Sequence, residues 1–210
     1  DHYKQLAISL QQIKAPFLKL NIVVRAFNDG LAFRYELPQW QNQSSFTLLQ
    51  ENTFFNLAQN PGIRALMFAY YTSSHEGVYA KMPLSKIPKD TLIDLPALFE
   101  YPNNIYVAIT EAALVDYAGM YLSKGADNII KSKLSPWRTD TTIKVQSALP
   151  HKSPWRVLLI SDKIGDLIES NIITSLNEPC KIKNTDWIKP GKTTFPWWNG
   201  NVLPDTINAP

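Results

Sequence analysis

Cysteine is nearly absent. Cys180 stands alone among 210 residues, so no intrachain disulfide can form and cysteine usage leaves the redox compartment open. With no thiol or imidazole beside it in sequence, Cys180 reads as a small buried hydrophobe rather than a nucleophile. Histidine is scarce too: His2, His75 and His151 form no metal-ligating pair at helical spacing. There is no glycine-rich phosphate loop and no G-x-S-x-G elbow. Charge of one sign is also missing. The net charge is only +3, and the lysines are scattered with no basic block to neutralise phosphates, so nucleic acid is not an expected partner. No apolar run approaches the roughly 20 residues that cross a bilayer as a helix, so no membrane span is expected. The first residue is Asp1, without a charged and then apolar leader. The expectation is a chain whose targeting segment has been removed, or a piece of something longer.

What is present is strand. In "LKLNIVVRAFNDGLAFRYEL", Leu20, Ile22 and Val24 alternate with Asn21, Val23 and Arg25. Beyond Asn28-Asp29-Gly30, Leu31, Phe33, Tyr35 and Leu37 alternate with Ala32, Arg34 and Glu36. This pattern predicts a hairpin over 18–27 and 31–37, with Gly30 free to take positive φ in the turn and Arg25 and Arg34 in cross-strand charge pairs. "FTLLQ", "ALMFAYYT", "NIYVAIT", "TIKVQSAL" and "WRVLLIS" are further short runs rich in β-branched and aromatic residues. "WRVLLIS" is almost continuously apolar, which predicts a central strand covered on both faces. "NNIYVAIT" alternates like a strand covered on one face. "SPWR" occurs twice, at 135–138 and 153–156, and reads as two similar strand starts with Trp137 and Trp155 packed in the core. Fifteen prolines punctuate the gaps. The one helical pattern is "KIGDLIESNIITSL", where Ile164, Leu167, Ile168, Asn171 and Ile172 could share a face. The pattern as a whole predicts an all-β domain of two packed sheets.

Carboxylates are the better prospect for chemistry. "AITEAALVDYAGMYL" puts Glu111 and Asp116 among apolar and small residues, with Glu111 where a strand ends. A carboxylate in such a setting is paired, protonated or bound to a metal. In a chain poor in Cys and His, hard oxygen ligands favour Ca²⁺ over Zn²⁺. The competing role for Glu111 is to accept backbone N–H bonds where the strand turns. His75 and Glu76 are neighbours, and on a strand they would face opposite ways, so both read as polar surface residues. Trp40, Trp137, Trp155, Trp187, Trp197 and Trp198 could cover the CH faces of a sugar. Three of these tryptophans crowd the Pro/Gly-rich tail, which has no strand periodicity and reads as a connector that packs on something else.

Several stretches resemble glycoside hydrolase family 97: "VRAFNDGLAFRYELP", "ENTFFNLA", "HEGVYAKMPLSKI", "AITEAALVDYAGMYL", "SPWRVLLISDKIGDLIESNIITSLNEPC" and "DWIKPGKTTFPWWNG", in that order from about Asp1 to Gly200. The resemblance implies an antiparallel β-supersandwich, galactose mutarotase-like, over residues 1–186. It implies a linker and the start of a catalytic (β/α)₈ barrel over 187–210, with "DWIKPGK…WW" as the join. It further implies strands preceding "DHYKQLAISL", and hence an open sheet edge, and a barrel beyond Pro210 that carries the catalytic acid and the base or nucleophile.

On the same resemblance, a Glu of the sandwich helps hold Ca²⁺ at the barrel mouth. The motif places it at Glu111, with Glu178 and Asn177 of "LNEPC" as second candidates and Trp197 and Trp198 as substrate-binding residues. Ala113 and Ala118 depart from the pattern, which has Asp and Pro there. The implied protein is a secreted or periplasmic, calcium-dependent, exo-acting α-glucosidase or α-galactosidase. Its partners would be an oligosaccharide or other α-glycoside and the barrel of its own chain, and the segment alone would be inactive. Two other readings stay open. One is a carbohydrate-binding sandwich without catalysis, which predicts tryptophans on an open face. The other is a mutarotase-like epimerase with His75 and Glu76 as acid and base.

Overall fold

The computed structural model describes residues 2–41 and 43–192. In chain order the strands are β1 (Lys4–Gln11), β2 (Lys19–Phe27), β3 (Gly30–Leu37), β4 (Ser45–Leu48), β5 (Phe54–Asn56), β6 (Gly62–Ala65), β7 (Met67–Phe68) and β8 (Ala80–Pro83). They continue as β9 (Leu92–Ile93), β10 (Ala97–Glu100), β11 (Tyr106–Ala112), β12 (Met120–Lys124), β13 (Ile129–Leu134), β14 (Val145–Ala148), β15 (His151–Lys152) and β16 (Trp155–Ser161). Two short helices follow, α1 (Asp166–Glu169) and α2 (Ile172–Leu176). Nine strands form one sheet in the order β1-β2-β3-β16-β11-β10-β6-β8, with β15 beside β3. A five-stranded sheet, β5-β13-β12-β9-β7, lies across it, and β14 pairs with β4. Every ladder among the described residues is antiparallel, as an all-β sandwich requires. Contacts divide the chain into Asp1–Glu178 and Pro179–Pro210.

The β2–β3 hairpin forms as its alternation predicts, with Phe27 opposite Gly30 across a two-residue turn. Gly30 is needed for a different reason from the expected one. Its φ lies outside the left-handed region; instead, a Cβ there would collide with the carbonyl oxygen of Leu158 on β16. The glycine lets two strands approach that a larger residue would hold apart. Arg34 bonds Glu36 of its own strand at 2.8 Å and Arg25 bonds Gln5 on β1 at 2.9 Å, so the expected charge pairing between Arg25 and Arg34 strands does not form. Both guanidinium groups instead lie over the ring of Trp155, at 4.7 and 4.4 Å.

The strand "WRVLLIS" is β16, central and covered on both faces from Trp155 to Leu159, while Ile160 near its end is exposed. β11 departs from expectation, since Val107, Ala108, Ile109 and Thr110 are all buried. Its inner face packs Val107 and Ile109 against Leu122, Ile130 and Phe99 between the sheets. Its outer face, with Ala108 and Ala112, lies under Ile172 and Leu176 of α2 together with Trp155 and Val157. The helical stretch therefore buries Ile172 and Leu176, while Ile168 is exposed, which shifts the expected face toward the C-terminal end. The "SPWR" repeats also part company. Trp155 is buried at a strand start, whereas Trp137 lies in the loop between β13 and β14 and is 40% exposed. Cys180 is exposed, contrary to the buried role expected of it, because the segment after α2 carries no apolar periodicity to pull it inward.

Candidate functional site

Residues 107, 109 and 111 point to one face of β11, so the strand's own alternation turns Glu111 inward at the end of the sandwich. The register sets Arg156 of β16 directly opposite Glu111 and, on its other side, opposite Phe33 of β3. Directly opposed residues share a face, so the guanidinium and the carboxylate must meet. Arg156 Nη1 donates to Glu111 Oε2 at 2.6 Å. The second oxygen, Oε1, accepts the backbone N–H of Met120 at 3.1 Å, which fastens the start of β12 to the end of β11. Glu111 thus makes the backbone contact weighed for it above and an ion pair as well.

Glu51 completes the cluster from the loop between β4 and β5. Arg156 Nε donates to its Oε1 at 2.9 Å and Nη2 to its Oε2 at 2.6 Å, the parallel fork that matches guanidinium to carboxylate. Tyr117 OH donates to Oε2 at 3.1 Å and Thr53 Oγ1 to Oε1 at 2.9 Å. Tyr35 OH shares a hydrogen bond with Thr53 Oγ1 at 2.8 Å. The Arg156 side chain is 0% exposed, Glu51 5% and Glu111 14%, so exposure rises toward Glu111. Burial pushes the Glu111 carboxyl above its ordinary value, against the opposing pull of Arg156 and the Met120 N–H. Burial pushes the Arg156 guanidinium down, but hydrogen bonds and charge from Glu51, followed by Glu111, leave it raised. Burial, then the charge of Glu51, raises the Tyr117 hydroxyl, which stays protonated and donating.

The loop from Ala113 to Gly119 carries Tyr117 and ends beside Glu111. Ala113 and Asp116 both adopt left-handed φ, 55° and 52°. Alanine tolerates this region less well than Asn, Asp or Gly does. Asp116 accepts a bond from Ser147 Oγ at 2.7 Å, and that hydroxyl also meets His151 Nδ1 at 3.2 Å. His151 in turn stacks on Tyr117, their planes 15° apart. Asn177 reaches the same loop: its Oδ1 accepts the Ala113 N–H at 3.1 Å, and its Nδ2 donates to the Ile173 carbonyl at 2.6 Å. Glu178 is next to it and exposed. Asn177 therefore reaches the backbone of the loop that follows Glu111.

Among the described residues no three His, Cys, Asp or Glu side chains gather as a metal site. The oxygen chemistry of Glu111, Asn177 and Glu178 suits a hard cation as a partial donor set, short of the six to eight oxygens Ca²⁺ takes. Trp197 and Trp198 lie outside the described residues. His75 and Glu76 are both exposed, as expected of polar surface residues; His75 pairs with Asp94 at 2.7 Å and lies 3.4 Å from Tyr121 OH, so the His75–Glu76 couple of the epimerase reading is not what the structure brings together. Glu51 and Tyr117 had no distinguishing signal in sequence. Arg156 did: one charge inside an otherwise apolar central strand demands a buried partner.

The sequence profile described as "Glycosyl-hydrolase 97 N-terminal" matches residues 1–179. The chain belongs to this family. As a family 97 N-terminal domain it is 28% identical over 226 residues to a retaining alpha-galactosidase of Bacteroides thetaiotaomicron, covering 95% of this chain and 33% of that protein. It is also 28% identical over 185 residues to a probable retaining alpha-galactosidase of Streptomyces bingchenggensis, covering 87% of this chain and 26% of that protein. A glycoside hydrolase family 97 enzyme from Pseudoalteromonas sp. strain K8, solved in complex with acarbose, superposes with a TM-score of 0.85 at 28% identity over 95% of this chain and 30% of that one. The domain thus spans about a quarter to a third of the length of these relatives. Among its described residues no helix is long and apolar enough to cross a membrane.

Proposed function

We propose that this domain serves a secreted or periplasmic, calcium-dependent, exo-acting α-glycoside hydrolase, an α-glucosidase or α-galactosidase, by presenting the Glu111 corner to a catalytic barrel of the same protein. The observation that carries the reading is Glu111 itself. It is an acid held at both oxygens by Arg156 and the Met120 N–H, yet still 14% exposed, in a chain of this family. Each carboxylate oxygen keeps a lone pair for a further partner.

Glu111 would hold a Ca²⁺ there, with Asn177 and Glu178 as neighbouring oxygens and the rest of the shell from outside this domain. When bound, the ion supplies electrostatic polarisation at the reacting centre. The domain's own residues orient and fix: Arg156 sets the plane of the carboxylate, Asn177 ties the 113–119 loop to α2, and the sandwich holds both rigid. The domain contributes no acid/base pair of its own, so isolated it is inactive. The relatives described as retaining alpha-galactosidases and the acarbose complex support an α-glycoside as substrate.

The test is Glu111→Gln in the whole protein, which keeps shape and removes charge. Calcium affinity and kcat both fall, added calcium restores part of the activity, and the melting midpoint in excess chelator stays near that of wild type. Unchanged calcium affinity and activity would reduce Glu111 to its backbone and Arg156 contacts.

A further inference from the structure

Glu51 has no part in that reading, yet it is the most heavily bonded acid among the described residues. Two N–H groups of Arg156, the Tyr117 hydroxyl and the Thr53 hydroxyl all converge on it. Its loop is itself pinned: Ser132 Oγ donates to the Glu51 carbonyl at 2.7 Å, and the Thr53 N–H donates to Ser132 Oγ at 3.3 Å. Stability alone is a weak reason to bury such a group, because well-packed apolar residues often serve a core as well as a buried ion pair does. Its geometric effect on Arg156 is more specific. A guanidinium is a planar fork with fixed donor directions, so the carboxylate that takes two of its nitrogens decides where the third points. Glu51 takes Nε and Nη2, and what remains for Glu111 is Nη1 alone.

Charge follows the same division. Two carboxylates face one guanidinium, so the cluster carries one uncompensated negative charge. Glu51 is closed by four donors at 5% exposure, while Glu111 has two donors at 14% exposure. The surplus charge therefore belongs to Glu111, on its open side. We propose that Glu51 is the positioning residue for Glu111: by engaging Arg156 in the bidentate fork, it leaves Glu111 oriented and electrostatically free to act as a cation ligand instead of as one half of a closed salt bridge. The proposal rests on the reading of Glu111 as a calcium ligand. Without the Glu51 charge, Arg156 has one carboxylate left to satisfy; the fork turns onto Glu111 and the surplus charge vanishes.

The experiment is a calcium titration by calorimetry on the whole protein, comparing wild type with Glu51→Gln, Glu51→Asp, Tyr117→Phe and Glu111→Gln, each with its melting midpoint in chelator. Affinity in calcium sites follows ligand charge, so Glu51→Gln weakens binding about tenfold or more, whereas Glu51→Asp, which keeps the charge, stays within about threefold of wild type. Tyr117→Phe removes one donor from Glu51 and leaves its charge, so it changes affinity by no more than about twofold. Glu51→Gln with wild-type affinity, beside a Glu111→Gln that has lost it, would overturn the positioning role and leave the ligand reading intact. Equal losses in Glu51→Gln and Glu51→Asp would also overturn it, by showing a purely structural role. A Glu111→Gln protein that binds calcium normally would remove both. If Glu51→Gln does not fold, the Asp and Phe variants decide: a large loss of affinity in either overturns the proposal.

Discussion

Two short acid–base contacts of nearly equal length sit in opposite surroundings. His75 meets Asp94 at 2.7 Å on a loop where the histidine side chain is 52% exposed. Arg156 meets Glu111 at 2.6 Å where the guanidinium is wholly buried and a second carboxylate grips it from the other side. Distance does not distinguish them; solvent does. Water screens the first pair and competes for its hydrogen bonds, which leaves such contacts worth little. The second has given up its water, so each remaining bond is hard to replace and the geometry of one member dictates that of the next. A surface pair is dispensable to the fold, while a buried cluster works as a device that fixes an orientation.

Breaking the buried side of the comparison should give the largest effect. Arg156→Met leaves Glu51 and Glu111 facing each other without their cation and costs about 3–5 kcal/mol. Amide hydrogen exchange over β11 and β16 reads this locally, even in a multidomain protein. Ala113→Asn acts in the opposite direction on the same corner. Relieving alanine of a left-handed φ should stabilise the 113–119 loop by up to about 1 kcal/mol, seen as slower exchange in that loop and a higher melting midpoint.

A smaller effect concerns His151. Burial holds its imidazole below the ordinary histidine range, against the pull of Asp116. The folded state therefore resists the proton that the unfolded chain accepts. Its stability is intact above the unfolded value of about 6.5 and declines as pH falls below it. Melting midpoints between pH 7.5 and 5.5 should drop more steeply in wild type than in His151→Gln. Asp94→Asn should do least: at most about 1 kcal/mol, shrinking further in high salt. A cost for Asp94→Asn equal to that of Arg156→Met would dissolve the distinction between the two pairs.

Legibility in sequence followed the range of the interaction. The β2–β3 hairpin and β16 were readable because alternation and turn chemistry are local. "ALMFAYYT" was less so: only Ala65, Met67 and Phe68 of it lie in strands, since composition marks β propensity but not where pairing stops. Gly30 was visible as a turn residue, but its true constraint comes from a carbonyl on a strand 128 residues later. Glu111 stood out as an acid among apolar residues, and the family pattern pointed to it. Glu51 did not, because its significance comes entirely from Arg156, 105 residues away in sequence. The order β3-β16-β11 that joins them is set by packing between distant segments, which no local pattern records.

The most direct test of the cluster as a unit is a double-mutant cycle on Glu51→Gln and Glu111→Gln, read by hydrogen exchange over β11 and β16 in excess chelator. With either acid present, Arg156 keeps a charged partner; with both gone, a buried guanidinium is left without one. The account predicts that the double variant loses at least about 1 kcal/mol more than the two single losses combined. Losses that add to within about 0.5 kcal/mol would contradict it, and would mean that the two carboxylates contact Arg156 independently.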